Sequence, residues 1–182
     1  GNTRNYGADV TLEHYMSRGF YGQVNASLFK AEYRGLDKKW RNQMYDRGYM
    51  LKALGGKEWM LGKRKQNVLN VSLKYTLQGG LRHTPIDVAA MKANVAAGII
   101  DDQPIYKEDQ AMSLQFSPTS ILDLTVSYKI NCKKVSHTIA FEGVNILQHE
   151  TPYAERYDFG TGQLRLDKSG ISLPNVFYRI DF

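Results

Sequence analysis

The sequence predicts an all-β fold, an antiparallel up-and-down meander of about seven long strands, and three observations point to it. Apolar and polar residues alternate with period two over stretches of about 12 to 14 residues, well beyond the usual strand length of about 5 to 6. Tyr and Phe are abundant, at 12 and 7 of 182 residues, and both favour pleated surfaces. The last alternating row, Val176, Tyr178, Ile180 and Phe182, is interleaved with Phe177, Arg179 and Asp181 and stops on the final residue. A soluble sheet gains little from such a frayed apolar end, which invites edge pairing.

The elements follow in order. Tyr6, Ala8, Val10, Leu12 and Met16 share one parity against Asn5, Asp9, Thr11 and Glu13, which predicts the first strand. Ser17-Arg18-Gly19 is a tight turn into a second strand from about Phe20 to Tyr33, with Val24, Ala26 and Leu28 opposed to Gln23, Asn25 and Ser27. Arg34 to Asp46 is polar and without period, hence a longer loop. The third strand spans about Arg47 to Leu61 on Tyr49, Leu51, Ala53, Trp59 and Leu61, interrupted by Gly55 and Lys57. After a short basic turn, the fourth sets Leu69, Val71, Leu73, Tyr75 and Leu77 against Asn70, Ser72, Lys74, Thr76 and Gln78.

Gly79-Gly80 opens the longest connection, to about Pro118, in which Asp87 caps a short helix over Val88 to Ala97 that Gly98 ends. The fifth strand carries Leu122, Leu124, Val126, Tyr128 and Ile130 against Asp123, Thr125, Ser127 and Lys129, and a tight turn from Asn131 to Lys134 leads to the sixth, Val135 to Ile146. A loop from about Leu147 to Gly170 holds a small hairpin bending at Gly160 and Gly162, and Ile171 to Phe182 is the seventh strand.

Connections therefore alternate short and long, the asymmetry of an up-and-down barrel in an outer membrane. Soluble lipocalin-like barrels also alternate, and a smaller or soluble β-barrel binding protein is the competing reading. Strand length separates the two: 12 residues at about 3.3 Å each, tilted near 45°, rise about 28 Å, close to a bilayer's hydrocarbon thickness. The polar parities hold Asp, Glu, Asn, Gln, Ser and Lys, as a wet or plugged lumen requires. A helical membrane protein is excluded, because the longest weakly apolar run, Val88 to Ile100, carries Lys92 and Asn94 and falls short of about 18 apolar residues. The expectation is a segment of the wall of a larger transmembrane β-barrel.

The formal net charge of +6 sits in turns and loops, at Lys63, Arg64 and Lys65, at Lys133 and Lys134, and between Arg34 and Arg47 where Asp37 and Asp46 intervene. That is a set of solvated turns, and no nucleic-acid partner is expected. A single cysteine, Cys132, cannot form an internal disulfide. Gly1 to Asn5 shows neither an initiator methionine nor a signal peptide, so the chain is expected to be a fragment or a processed product.

Four stretches, Gly55-Gly56-Lys57-Glu58-Trp59, Gly79-Gly80-Leu81-Arg82-His83-Thr84-Pro85-Ile86-Asp87, the strand-turn-strand Tyr128 to His137, and the ending Pro174 to Phe182, together resemble the C-terminal end of TonB-dependent outer-membrane receptors of the Bacteroidetes type. The resemblance spans nearly the whole chain, residues 1 to 182 forming one C-terminal barrel segment. Cys132 departs from the basic or polar residue expected in its turn. What the resemblance implies is a segment of a 22-stranded barrel in the outer membrane of a Gram-negative bacterium, the plug domain and earlier strands lying outside these residues. The implied activity is energy-dependent uptake of a scarce ligand: an iron chelate, a vitamin or an oligosaccharide. The implied partners are outer-membrane lipid, the barrel-assembly machinery, and a plug and TonB contacted through other parts of the protein. Val176, Tyr178, Ile180 and Phe182 then form the assembly signal.

No catalytic constellation is visible, so no enzyme activity and no cofactor are expected. His14, His83, His137 and His149 lack metal-ligand spacing, and Asp101-Asp102 and Glu108-Asp109 lack that of a calcium loop. Long loops on a rigid wall carry recognition. On that ground Trp40, Arg41, Tyr45 and Arg47, aromatic faces beside cations, are the candidate contacts for a sugar or an anionic chelate. Glu13, Asp123 and Glu142 are candidates to face the lumen and hydrogen-bond a plug.

Overall fold

A computed structural model of the chain describes residues 1–99, 101 and 103–182. Its elements are β1 (Asn2–Ser17), β2 (Phe20–Arg34), β3 (Trp40–Asn42), β4 (Tyr49–Leu61), β5 (Asn67–Gln78), β6 (Arg82–His83), α1 (Val88–Ala96), β7 (Leu114–Gln115), β8 (Thr119–Asn131), β9 (Ser136–Val144), β10 (Thr151–Asp158), β11 (Gln163–Ser169) and β12 (Leu173–Asp181). The fold is an all-β antiparallel meander: the main sheet runs β1-β2-β4-β5-β8-β9-β12, with β3 added to β2. Each of the seven predicted long strands is present. Among the described residues β1 and β12 form no ladder with each other, so the sheet is open.

Register aligns the seven apolar parities on one side. Directly opposed residues in neighbouring strands point to the same face. One row passes from Phe20 through Lys57, Val71, Val126 and Phe141 to Val176. A parallel row joins Trp59, Leu69, Tyr128, Ile139 and Tyr178. Val10, Leu12, Val24, Leu28, Leu73 and Leu124 fall on the same face. Nothing covers that face among the described residues: Leu12 is 67 % exposed, Leu28 68 % and Val176 69 %. The first strand's row does not extend cleanly to Met16, because the ladder slips between His14 and Ser17.

The other face is polar and cross-linked. Asn25 donates to Thr11 Oγ1 at 2.7 Å, Gln23 to Glu13 Oε1 at 3.1 Å, and Lys74 pairs with Asp123 at 2.7 Å. The Tyr21 ring lies over Gly56, where a Cβ would stand 2.3 Å from the ring, and its hydroxyl reaches Asn70, which also donates to Glu58. Gly56, on the polar parity of β4, therefore leaves space that Tyr21 needs, whereas a Cβ at Gly55, the glycine that interrupts the apolar parity, would meet nothing within 4 Å.

The three short turns lie at one end of the sheet and the three long connections at the other, as an antiparallel meander dictates. The long connections build their own small core. Asp87 Oδ1 accepts from the N–H groups of Ala89 and Ala90, which starts α1 where expected, and Gly98 at φ +75° follows its end. Ile86, Met91 and Tyr157 are buried there, with Val88, Val95, Ile105 and Phe159 against them. Tyr157 belongs to the predicted hairpin, β10 with β11, whose bend is held by Asp158 Oδ1 accepting from Gly160 and Thr161. Two features depart from expectation. The stretch after Arg34 is not all loop, since β3 folds back on β2, and β6 pairs with β7 inside the second connection. Two- and three-residue ladders are too short to show a period. Ile100 and Asp102, which took part in the expected apolar run and loop charges, lie outside the described residues.

Candidate functional site

Asp46 organises the loop end. It is fully buried; its Oδ1 accepts from the N–H of Ala31 at 2.9 Å, and its Oδ2 accepts from Lys30 Nζ at 3.0 Å, with the Arg82 guanidinium at 3.6 Å. Arg82 Nε donates to the Asp46 carbonyl at 3.1 Å, and its backbone N–H to the Met44 carbonyl at 2.9 Å. A buried carboxylate is tolerated only when paired and hydrogen-bonded, and these contacts tie β2 to the first and second long loops.

Gly79-Gly80 permits the close approach. A Cβ at Gly79 would stand 1.9 Å from the Arg47 carbonyl oxygen, and one at Gly80 2.1 Å from that of Phe116. Only glycine lets the two backbones meet there. Gln115 Nε2 bridges the same place, donating to the carbonyls of Arg47 and Gly80 at 3.1 Å each.

The β6–β7 ladder then lays the His83 ring flat on Phe116, with centroids 3.9 Å apart at 5°. From the third loop, the β10–β11 hairpin brings Glu155 Oε2 to 4.0 Å from His83 Nε2. Their side chains are only 17 % and 15 % exposed, and neither His83 Nδ1 nor Glu155 Oε2 has a hydrogen-bond partner among the described residues. Burial pushes the His83 pKa below its ordinary value, against the pull of the Glu155 charge. Beside the pair lies a cleft of about 360 Å³, walled by all three loops through Met44, Arg82, Tyr106, Glu108, Phe116 and Tyr153. That volume suits a small molecule, and the walls offer aromatic faces, carboxylates and an imidazole. No group of three His, Cys, Asp or Glu residues placed to hold a metal ion occurs among the described residues.

The four loop residues expected to bind ligand are not gathered in one place. Trp40 is flanked by guanidiniums, with Arg4 4.2 Å and Arg34 5.2 Å from the ring centroid. Arg41 grips Asp37 through two bonds of 3.0 and 2.5 Å, and with the Lys39 N–H it holds the Asp37 carboxyl down to about 2. Tyr45 is 68 % exposed, and Arg47 donates to the Gly79 carbonyl at 2.8 Å. None of the four lines the cleft. Arg82, His83 and Glu155, which shape it, are not recognisable as a group in the sequence because Glu155 lies on a different loop from the other two. The local signal is the Gly79-to-Asp87 stretch, and no residue pattern in it points to the third loop.

At the far end of the sheet Val176, Tyr178 and Ile180 oppose Phe141, Ile139 and His137, while Phe182 follows the last strand and is 99 % exposed. Asp123 and Glu142 sit on the polar face with Glu13; Asp123 is paired with Lys74 and Glu142 accepts from Asn175 at 3.5 Å. His137 bonds the Tyr178 hydroxyl at 2.7 Å and His149 meets the Pro118 carbonyl at 3.3 Å, so these two histidines serve separate local roles. Set against known proteins, the chain matches no family model, no curated protein and no solved structure.

Proposed function

We propose that this chain is a wall segment, with outer loops, of a TonB-dependent outer-membrane receptor that takes up a scarce small molecule or glycan. The observation that carries the reading is the uncovered apolar face of the main sheet. The chain exposes 12348 Å², against about 8,900 Å² for a compact monomer of its 20.7 kDa. Each aliphatic or aromatic side chain left in water forgoes about 1.5–3 kcal/mol of burial. Over the ten sheet residues Val10, Leu12, Val24, Leu28, Val71, Leu73, Leu124, Val126, Ile139 and Phe141, allowing for partial exposure, the loss is on the order of 10 kcal/mol, as large as a whole domain's stability. Acyl chains recover it.

Dimensions agree with this. On the apolar face of β4, Tyr49 and Trp59 stand near its two ends, ten residues apart. At about 3.3 Å per residue and a tilt near 45° they are separated by about 23 Å along the normal, against an apolar band of about 25 Å between aromatic girdles. In this reading the polar face looks into a lumen, β1 and β12 pair with further wall, and the cleft at the loop end meets the ligand outside. The row ending at Phe182 is what the assembly machinery reads.

Parallax quenching with acyl-chain brominated lipids tests the proposal. In a W40F/W59F background, the Leu73→Trp chain reconstituted into bilayers should be strongly quenched and the neighbouring Ser72→Trp chain should not. Equal quenching of the two, or a monodisperse monomer in plain buffer that unfolds cooperatively, would refute it.

A further inference from the structure

The three short turns carry a charge pattern that the wall reading leaves unused. Between β1 and β2 stands Arg18, between β4 and β5 stand Lys63, Arg64 and Lys65, and between β8 and β9 stand Lys133 and Lys134. These six cations have no acid among them and equal the formal net charge of +6, which leaves eighteen cations and eighteen acids for the rest of the chain. All six are exposed, and none takes part in an ion pair among the described residues. The long loops differ because acids are interspersed with their cations: Arg41 is held by Asp37, Arg82 by Asp46, Arg156 by Asp167 and Lys168 by Glu150, while Lys92 and Lys107, unpaired among the described residues, share their loop with Asp87, Glu108 and Asp109.

Geometry concentrates this charge. Sheet order sets the turns two strands apart, about 10 Å from one to the next, near the Debye length at physiological salt, so their fields add along the rim. The turns are tight, with Lys65 N–H bonded to the Gly62 carbonyl at 3.0 Å and Cys132 N–H to that of Val135 at 2.9 Å. Toward this end of the sheet Asp181 is paired with Arg179, and Glu58 accepts a hydrogen bond from Asn70. Directly above the rim, on the apolar face, lie Phe20, Trp59, Tyr128 and Tyr178, and Lys57 Nζ sits 4.2 Å from the Phe20 ring centroid and 5.2 Å from that of Trp59. An aromatic belt marks the headgroup level of a bilayer.

We infer that the short-turn rim is a docking surface for anionic phospholipid headgroups of the surrounding leaflet. The inference rests on the wall reading and adds a lipid preference to it. The rim spans about 20 Å, a row of phosphates and not one anion, and those phosphates lie at the level where the apolar rows end. Cations near a membrane surface attract anionic lipid at about fivefold per residue, from about 1 kcal/mol each.

The test is energy transfer from Trp59 to dansyl-labelled lipid. A Trp40→Phe chain leaves Trp59 as the donor, and dansyl phosphatidylglycerol is compared with dansyl phosphatidylcholine at equal mole fraction in bilayers. Transfer to the anionic probe should exceed that to the zwitterionic one by about threefold at low salt and fall to parity at 0.5 M salt, a molarity on the order of which the Debye length shrinks below about 5 Å. The K63Q/R64Q/K65Q/K133Q/K134Q chain should lose the preference, and K92Q/K107Q, altered at the other end, should keep it. Parity in the parent chain, or a preference that survives the five-fold substitution or high salt, overturns the inference. A chain that never enters bilayers sinks the wall reading with it, whereas insertion without lipid preference removes this inference alone.

Discussion

Leu73, in the middle of the main sheet, is 46 % exposed, whereas Met91, on a nine-residue helix inside a loop, is 3 % exposed. The same contrast runs through the molecule. On the sheet the apolar side is bare, and order comes from backbone ladders and from polar-face pairs such as Lys74–Asp123 and Asn25–Thr11. At the loop end the chain encloses Ile86, Met91 and Tyr157 and buries a carboxylate, Asp46, among its donors. A soluble domain puts its core under its sheet; here the elements that lie outside the sheet hold the core. Hydrophobic burial is therefore internal to the loops and missing from the apolar side of the main sheet.

Substitutions that separate the two regions sharpen the comparison. The largest effect is expected from Leu73→Arg. If the face meets lipid at mid-depth, the change costs about 2–4 kcal/mol in urea unfolding from bilayers. On a sheet face open to water it would stay within about 0.5 kcal/mol, and that outcome would break the contrast. Next comes Asp46→Ala, which leaves the Ala31 N–H unpaired, Lys30 with Asn42 alone and Arg82 without its carboxylate. It should loosen the loop end by about 2–3 kcal/mol, seen as faster hydrogen exchange around Arg82 and Met112, with protection of β5 and β8 unchanged. Equal loss in the sheet would show that the two regions are one cooperative unit.

The smallest effect concerns acid. His83 titrates below its ordinary value of 6.5 because burial disfavours its charged form. Below 6.5 the unfolded loop binds more protons than the folded one, so stability of the loop end is complete above that pH and declines as pH falls through it toward the lower folded value. Proteolysis of the loops should accelerate between pH 7 and 5, on the order of the range where histidine titrates, and His83→Gln should remove that dependence. Protection that instead rises in acid would mean that attraction to Glu155 outweighs the burial of His83.

Much of the loop end's local structure was legible before its assembly. Asp87 and Gly98 bracket α1 because a carboxylate caps helix N–H groups and glycine takes the left-handed turn, both dictated within a few residues. The bend at Gly160 and Gly162 follows the same logic. β3 and the β6–β7 pair were not legible, since such short ladders exist only where other segments hold them. Nor was the cleft, because Trp40 and Arg41 looked like binding residues until their partners Arg4, Arg34 and Asp37 were in place.

By itself the sequence determined that each long strand has one apolar and one polar face, and that short and long connections alternate, because side-chain period and turn chemistry act over a few residues. Tertiary structure alone decided that seven apolar parities coincide. A slip of one residue at any ladder would turn the rest of the sheet over, and the observed register, from Phe20 across to Val176, is a property of the paired strands together. It likewise decided which charges meet. Asp46 finds Lys30 and Arg82, and His83 finds Glu155, through contacts whose partners are remote in the chain, and no local pattern encodes distance.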